Sequence, residues 1–273
     1  VTTPAALELP GQPKANASLL RLYNYTRVLS SDNRLVDHVA FLKQQLGRPE
    51  EESFSVWEMY LCAGLLLRSH LERHGVEVHL ANYIDCDNAE AEFRKLQAFD
   101  PDLVVLSTTF VLTAKHLIEA GRLVRRHLPR AFVVAGGHHI YTTLMYMDEA
   151  RQRQYLLTSK LDALVNDIQG EQTLLDLIRA WPAQLSQVPN LIWKDADGGV
   201  FLNERRVEEN NINSTLLEFR DVEPDSIIHM RTARSCAFKC AFCSYPTIAG
   251  KLALMELENA LMTPGTSQSV SST

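Results

Sequence analysis

Two short, wholly apolar runs, Leu103-Val-Val-Leu106 and Ala131-Phe-Val-Val-Ala135, predict an α/β fold built on a parallel sheet. A strand that is apolar at every position is buried on both faces, which is the condition of a strand between two layers of helices. Between these runs, Ala114, Leu117, Ile118, Gly121 and Val124 recur at the spacing of an amphipathic helix, so a crossover helix joins two parallel strands. The alternation of strand and helix is repeated to either side, and predicts a doubly wound, five-stranded parallel sheet with helices on both faces over about residues 18–181.

The elements follow in order. Residues 1–17, rich in Pro, Ala and polar side chains, read as a mobile leader. Leu19–Tyr25 is the first strand, and Arg48-Pro-Glu-Glu-Glu52 is a solvated charge run. Trp57 to His74 has a heavily apolar middle and is followed by Gly75, where a helix C-cap belongs. Val76-Glu-Val-His-Leu-Ala81 alternates as a half-exposed strand does. Leu161–Val165 is the fifth strand, and the helix from Glu171 to Trp181 is stopped by Pro182. This domain is bounded at 18–185.

Beyond it, over 186–229, Leu191–Lys194 and Val200–Asn203 flank Asp197-Gly-Gly199 and predict a β-hairpin. The acidic stretch from Glu204 to about Asp225 reads as a linker. A last segment, 230–273, holds a cysteine-rich loop, a helix at Leu252–Leu261 and a tail, Thr263–Thr273, whose composition cannot pack a core.

Composition narrows the function classes. With 46% hydrophobic and 22% charged residues, the chain has the balance of an ordinary globular protein. A formal charge of -6 offers no basic excess to displace counterions from nucleic-acid phosphates. The longest apolar stretch, Met59–Leu67, is too short to cross a bilayer, and the N-terminal residues do not form a signal peptide. A cytoplasmic protein with reduced thiols, binding neither nucleic acid nor membrane, is expected.

The chemistry is concentrated in Arg231-Thr-Ala-Arg-Ser-Cys236-Ala-Phe-Lys-Cys240-Ala-Phe-Cys243. Three cysteines fall within eight residues, spaced C-x-x-x-C-x-x-C. Three thiolates on one loop suit three corners of a [4Fe–4S] cluster, and the fourth iron is left open to a ligand. A zinc site is the alternative; it needs a fourth ligand, for which His229, Cys62 and Cys86 are the candidates. A disulfide framework is excluded by compartment and by the odd total of five cysteines. Cys62 and Cys86 read as ordinary buried thiols.

This loop resembles that of the radical S-adenosylmethionine (SAM) enzymes, and a five-stranded α/β domain ahead of it is similar to the Rossmann-like cobalamin-binding domain of their cobalamin-dependent branch. The resemblance implies that Cys236, Cys240 and Cys243 hold a [4Fe–4S] cluster, that SAM binds the open iron, and that Phe242 packs near its adenine. It implies cobalamin at three strand ends: Ser107-Thr108-Thr109, Gly136-Gly137-His138, and Gly170-Glu171 at the start of the next helix. The Asp-x-His-x-x-Gly motif that supplies a cobalt ligand in many such domains is not found; His38, preceded by Asp37, lacks the rest of it. Cobalamin bound without a protein histidine on cobalt is therefore implied.

The activity implied is a methyltransferase acting on an unactivated carbon through a 5′-deoxyadenosyl radical. The substrate would be a small molecule or natural product, with an external electron donor of the flavodoxin or ferredoxin type. A ring-rearranging or cyclising enzyme on the same cofactors, and a non-catalytic cobalamin-binding module with a vestigial loop, are the alternatives. In this family a barrel follows the loop, so residues 230–273 are expected to be its truncated start, and the isolated chain is expected to show no sustained SAM turnover.

Overall fold

A computed structural model describes residues 27–29, 35–37, 47, 60–81, 84, 89–111, 113–214, 216–219, 230–238 and 240–261. The expected leader, the strand at Leu19–Tyr25, the charge run at Arg48–Glu52, His38, Cys86, His229 and the tail from Thr263 lie outside these residues. The chain divides into two units, 1–58 and 59–273. In the first, β1 (Arg27–Leu29) pairs antiparallel with β2 (Leu35–Asp37), Val28 opposite Val36.

The second unit holds a five-stranded sheet of β3 (Leu103–Ser107), β4 (Phe132–Gly136), β5 (Ala163–Val165), β6 (Leu191–Lys194) and β7 (Val200–Leu202), hydrogen-bonded in that order. β3, β4 and β5 are parallel, with Ser107 beside Gly136 and Ala135 beside Leu164. β6 and β7 run antiparallel, with Leu164 opposite Ile192 and Ile192 opposite Leu202. The sheet is thus mixed, whereas the sequence predicted one that is parallel throughout. Val76–Ala81 makes no ladder among the described residues, and its Val76 and Val78 pack as extended chain against the core. Its place in the count is taken by the hairpin, for a physical reason: Leu191, Ile192 and Trp193 are apolar on both faces and need cover on both. Joining β5 gives them that cover.

Helices sit on each face. One side carries α2 (Ala89–Phe99), α3 (Ala114–His127), α4 (His138–Leu144) and α5 (Glu149–Ser159). There Phe93, Leu117, Val124, Ile140, Leu144 and Leu156 pack on Val133, Ala135, Leu164 and Ile192. The other side carries α1 (Cys62–Arg73) and α6 (Glu171–Ala180), whose Leu71, Leu174, Leu175 and Leu177 pack on Phe132, Val134, Ala163, Val165 and Leu191. The strict alternation of neighbours along β4 and β5 between the two cores is the two-residue period of a pleated strand.

The stretch after the hairpin, read from sequence as a linker, is fastened to the sheet's helices. Glu208, Ile212 and Leu217 are buried. Ser69 accepts from the Glu218 amide at 2.9 Å, and Arg68 donates to the Glu218 carbonyl at 2.8 Å. Of the helix expected at Leu252–Leu261, only α8 (Leu257–Leu261) forms. Ahead of it β9 (Ala253–Leu254) pairs with β8 (Ala233–Arg234), and α7 (Tyr245–Ala249) lies between them.

Candidate functional site

The ends of β3, β4 and β5 form one edge. Ser107 at the end of β3 is half-buried, and its hydroxyl lies 3.1 Å from that of the exposed Thr109. Thr108 is fully buried. Its hydroxyl donates to the Gly136 carbonyl at 2.8 Å and accepts from the Ile140 amide at 3.4 Å. Of the three hydroxyls, this one is therefore committed to the chain itself, where it joins β3 to β4 and the start of α4.

Gly137 makes the sharp turn from β4 into α4 with φ 105°, a conformation that a side chain strongly disfavours. A Cβ there would stand 3.3 Å from the Thr108 hydroxyl. The backbone at this strand end is consequently bare. His138 follows it, exposed, while His139 is half-buried with Nε2 3.2 Å from the Tyr155 hydroxyl. Burial, with His138 beside it, lowers the His139 pKa.

At the end of β5, Gly170 (φ 76°) caps α6. A shallow cleft of about 40 Å³, lined by Ser107, Gly136, Val165, Gln169 and Gly170 among others, lies between these strand ends. It can admit one edge of a ligand, with the remainder lying over the strand ends.

The first turn of α6 is capped from a distance. Glu208 occupies two of its amides. Glu208 Oε2 accepts from the Gln172 amide at 3.0 Å, and Oε1 accepts from the Thr173 amide at 2.8 Å and the Thr173 hydroxyl at 2.5 Å. A carboxylate at a helix N-terminus satisfies its orphan donors and its dipole together. Glu171 beside it is almost fully buried, accepting from Asn210 at 2.9 Å and facing Arg231 at 3.4 Å. Burial raises its pKa above the ordinary carboxylate value, against the pull of Arg231. Asp167 is raised likewise, by burial first.

Arg231 and Arg234, just ahead of the cysteines, close the network. Arg234 Nη1 donates to Gln169 Oε1 and to the Asn210 carbonyl, each at 2.5 Å. Arg205, from the stretch after β7, lies 5.3 Å over the Tyr141 ring and donates to its hydroxyl at 3.0 Å. Gln169, Arg205, Glu208 and Asn210 are the residues that sequence reading passed over. Their partners lie 24 to 65 residues away, and no local spacing announces such a pair.

The cysteine loop projects from this network. Cys236 is half-buried, and Cys240 and Cys243 are exposed; all are free thiols, as is Cys62. Burial raises the Cys62 pKa, in keeping with a packed thiol. A turn closes the loop, with the Cys243 amide donating to the Cys240 carbonyl at 3.0 Å. Phe242 is 92% exposed and makes no packing against the rest of the described chain that would hide it. Among the described residues, no group of three His, Cys, Asp or Glu side chains is arranged to hold a metal ion. The donor set nevertheless fits a thiolate-bound centre: three free, soft sulfur ligands on one short loop suit an iron–sulfur cluster or zinc. The loop has to draw its thiols together to hold either.

No family model matches the chain, and no curated protein does. Solved structures do. The chain is similar to the cobalamin-dependent S-adenosylmethionine radical enzyme OxsB with aqua-cobalamin and S-adenosylmethionine bound. That likeness has a TM-score of 0.50 and 19% identity, over 74% of this chain and 28% of that one. It is also similar to the same enzyme with aqua-cobalamin bound, at a TM-score of 0.51 and 18% identity, over 89% of this chain and 35% of that one. The chain thus spans about a third of the length of the structures it resembles. At this identity the likeness is one of fold alone.

Proposed function

We propose that the chain is the cobalamin-binding and cysteine-loop portion of a cobalamin-dependent radical SAM enzyme, a methyltransferase acting on an unactivated carbon of a small-molecule or natural-product substrate. In this reading the doubly wound, Rossmann-like cobalamin domain expected over 18–185 takes in the hairpin at 191–202 as well, and 230–273 begins a SAM-binding barrel. The observation that carries it is the attachment of the C-x-x-x-C-x-x-C loop, through Arg231 and Arg234, to the strand ends of such a sheet.

Cys236, Cys240 and Cys243 would hold the cluster, which supplies one-electron cleavage of SAM, while cobalamin supplies the methyl carrier. The chain's own contribution is placement. Gly136, Gly137 and Gly170 leave the strand ends bare for a flat ligand, and Ser107, Thr109 and His138 offer polar contacts along the same edge. Thr108 holds that edge in shape. Glu171 anchors Arg231, and Phe242 is free to cover an adenine. An electron donor of the flavodoxin or ferredoxin type and a cytoplasmic setting complete the proposal. Among the described residues no helix is long and apolar enough to cross a membrane.

The test is anaerobic reconstitution with iron and sulfide, with a broad absorbance expected at about 400 nm, as thiolate-bound clusters give. Cys236→Ala, Cys240→Ala and Cys243→Ala should each abolish it, and Cys62→Ala and Cys86→Ala should not. Hydroxocobalamin should stay with the protein through gel filtration, and its reduced cobalt(II) form should show no nitrogen splitting in electron paramagnetic resonance. Equal losses from all five cysteine variants, or stoichiometric tight zinc, would overturn the cluster; loss of cobalamin on the column would overturn the methyltransferase.

A further inference from the structure

We infer that Gln169 is a positioning residue that ties the placement of the cysteine loop to occupation of the strand-end cleft. The inference rests on the reading above in one respect, that cobalamin is the occupant. Gln169 lines the cleft. Its side-chain amide is engaged at both ends: Oε1 accepts from the Asn210 amide at 3.1 Å and from Arg234 at 2.5 Å, and Nε2 donates to the Glu208 carbonyl. Its own amide nitrogen is fixed on Asp167 Oδ1 at 3.0 Å. The side chain therefore cannot turn or shift without disturbing three bonds at once.

Arg234 is the other half of the link. It lies in β8, two residues before Cys236. Its Nε is buried without a hydrogen-bond partner among the described residues. Its hold on the strand-end side thus depends on Gln169 and the Asn210 carbonyl. A group pressed into the cleft meets Gln169 on one side, and the first cysteine of the loop hangs from it on the other. Filling the cleft adds a contact to an amide already held at both ends, and so restrains Arg234 further.

The test is hydrogen–deuterium exchange on the 273-residue chain, comparing wild type, Gln169→Leu, Arg234→Met and the double variant, with and without saturating hydroxocobalamin. Without ligand, each single substitution should speed exchange at residues 230–238 about tenfold, the effect of one lost hydrogen bond to a charged group. The effect of the double variant should fall well short of the product of the two single effects, because both remove the Gln169–Arg234 bond. The hairpin, residues 191–202, should be unchanged. With cobalamin, residues 230–238 should slow in wild type but not in either single variant. Cobalamin absorbance confirms binding, and Arg234, which does not line the cleft, serves if Gln169→Leu weakens it. Additive effects without ligand, or protection that survives both substitutions, would overturn the inference while the functional reading stands. A wild type that binds no cobalamin overturns the functional reading and the transmission with it, and the ligand-free cycle then decides separately whether Gln169 holds the loop.

Discussion

A methyl group on Gly137 would stand 3.3 Å from the Thr108 hydroxyl and 3.4 Å from the Thr108 amide, on a backbone already at φ 105°. Gly137→Ala should therefore cost about 1–3 kcal/mol, read as a lowered urea midpoint with an unchanged slope. Glu171 gives a prediction in pH. Burial, its leading influence, raises its folded-state pKa above the ordinary 4.5. The folded state then holds this proton more tightly than the unfolded one, so the group's contribution to stability falls as pH rises from the unfolded value through the raised one. Glu171→Gln, which does not titrate, should gain relative to wild type over that interval; urea unfolding across a pH series reads the crossing, and a difference flat in pH would refute it. Residue type alone announced Gly137 and Gly170, because each holds a backbone conformation that side chains disfavour, and spacing alone singled out the cysteine loop. Glu208 sat in an acidic run that composition assigns to solvent, and only its approach to α6 from 35 residues away makes it a cap.

Among the elements, α6 shows how a distant residue completes local structure. Glu208→Ala removes the acceptor for two helix amides and the Thr173 hydroxyl, and should cost about 2–3 kcal/mol, with Glu208→Gln recovering part of it. Thermal unfolding of the two variants side by side checks the order. The strands β3, β4 and β5, the helices α3 and α6 and the hairpin turn were legible because each carries its own local signal: an unbroken apolar run, a helical period or a pair of turn glycines. The union of hairpin and sheet was not, since an apolar run tells that a strand is covered but not which neighbour covers it. α4 and α5 were passed over for a related reason: α5 buries only Leu156 and Ser159 in eleven residues, too few to set a period. α4 begins at a glycine turn rather than at a recognisable capping residue.

For the molecule as a whole, the parallel half of the sheet was legible in two apolar runs and the cysteine loop in eight residues, yet the join between them was not. It consists of contacts separated by 60 and 65 residues, Arg231 with Glu171 and Arg234 with Gln169. Such separations have a kinetic meaning. Contacts that close long loops are unfavourable until the framework around them exists, so the parallel strands and their helices should assemble first and the arginine contacts last. Interactions absent from the folding transition state act on the rate of unfolding alone. Arg234→Met should accordingly steepen nothing in the refolding arm of a stopped-flow chevron and raise the unfolding arm about tenfold, for a loss near 1.4 kcal/mol. The join that would bring two cofactors together would then also be the seam along which the protein first comes apart.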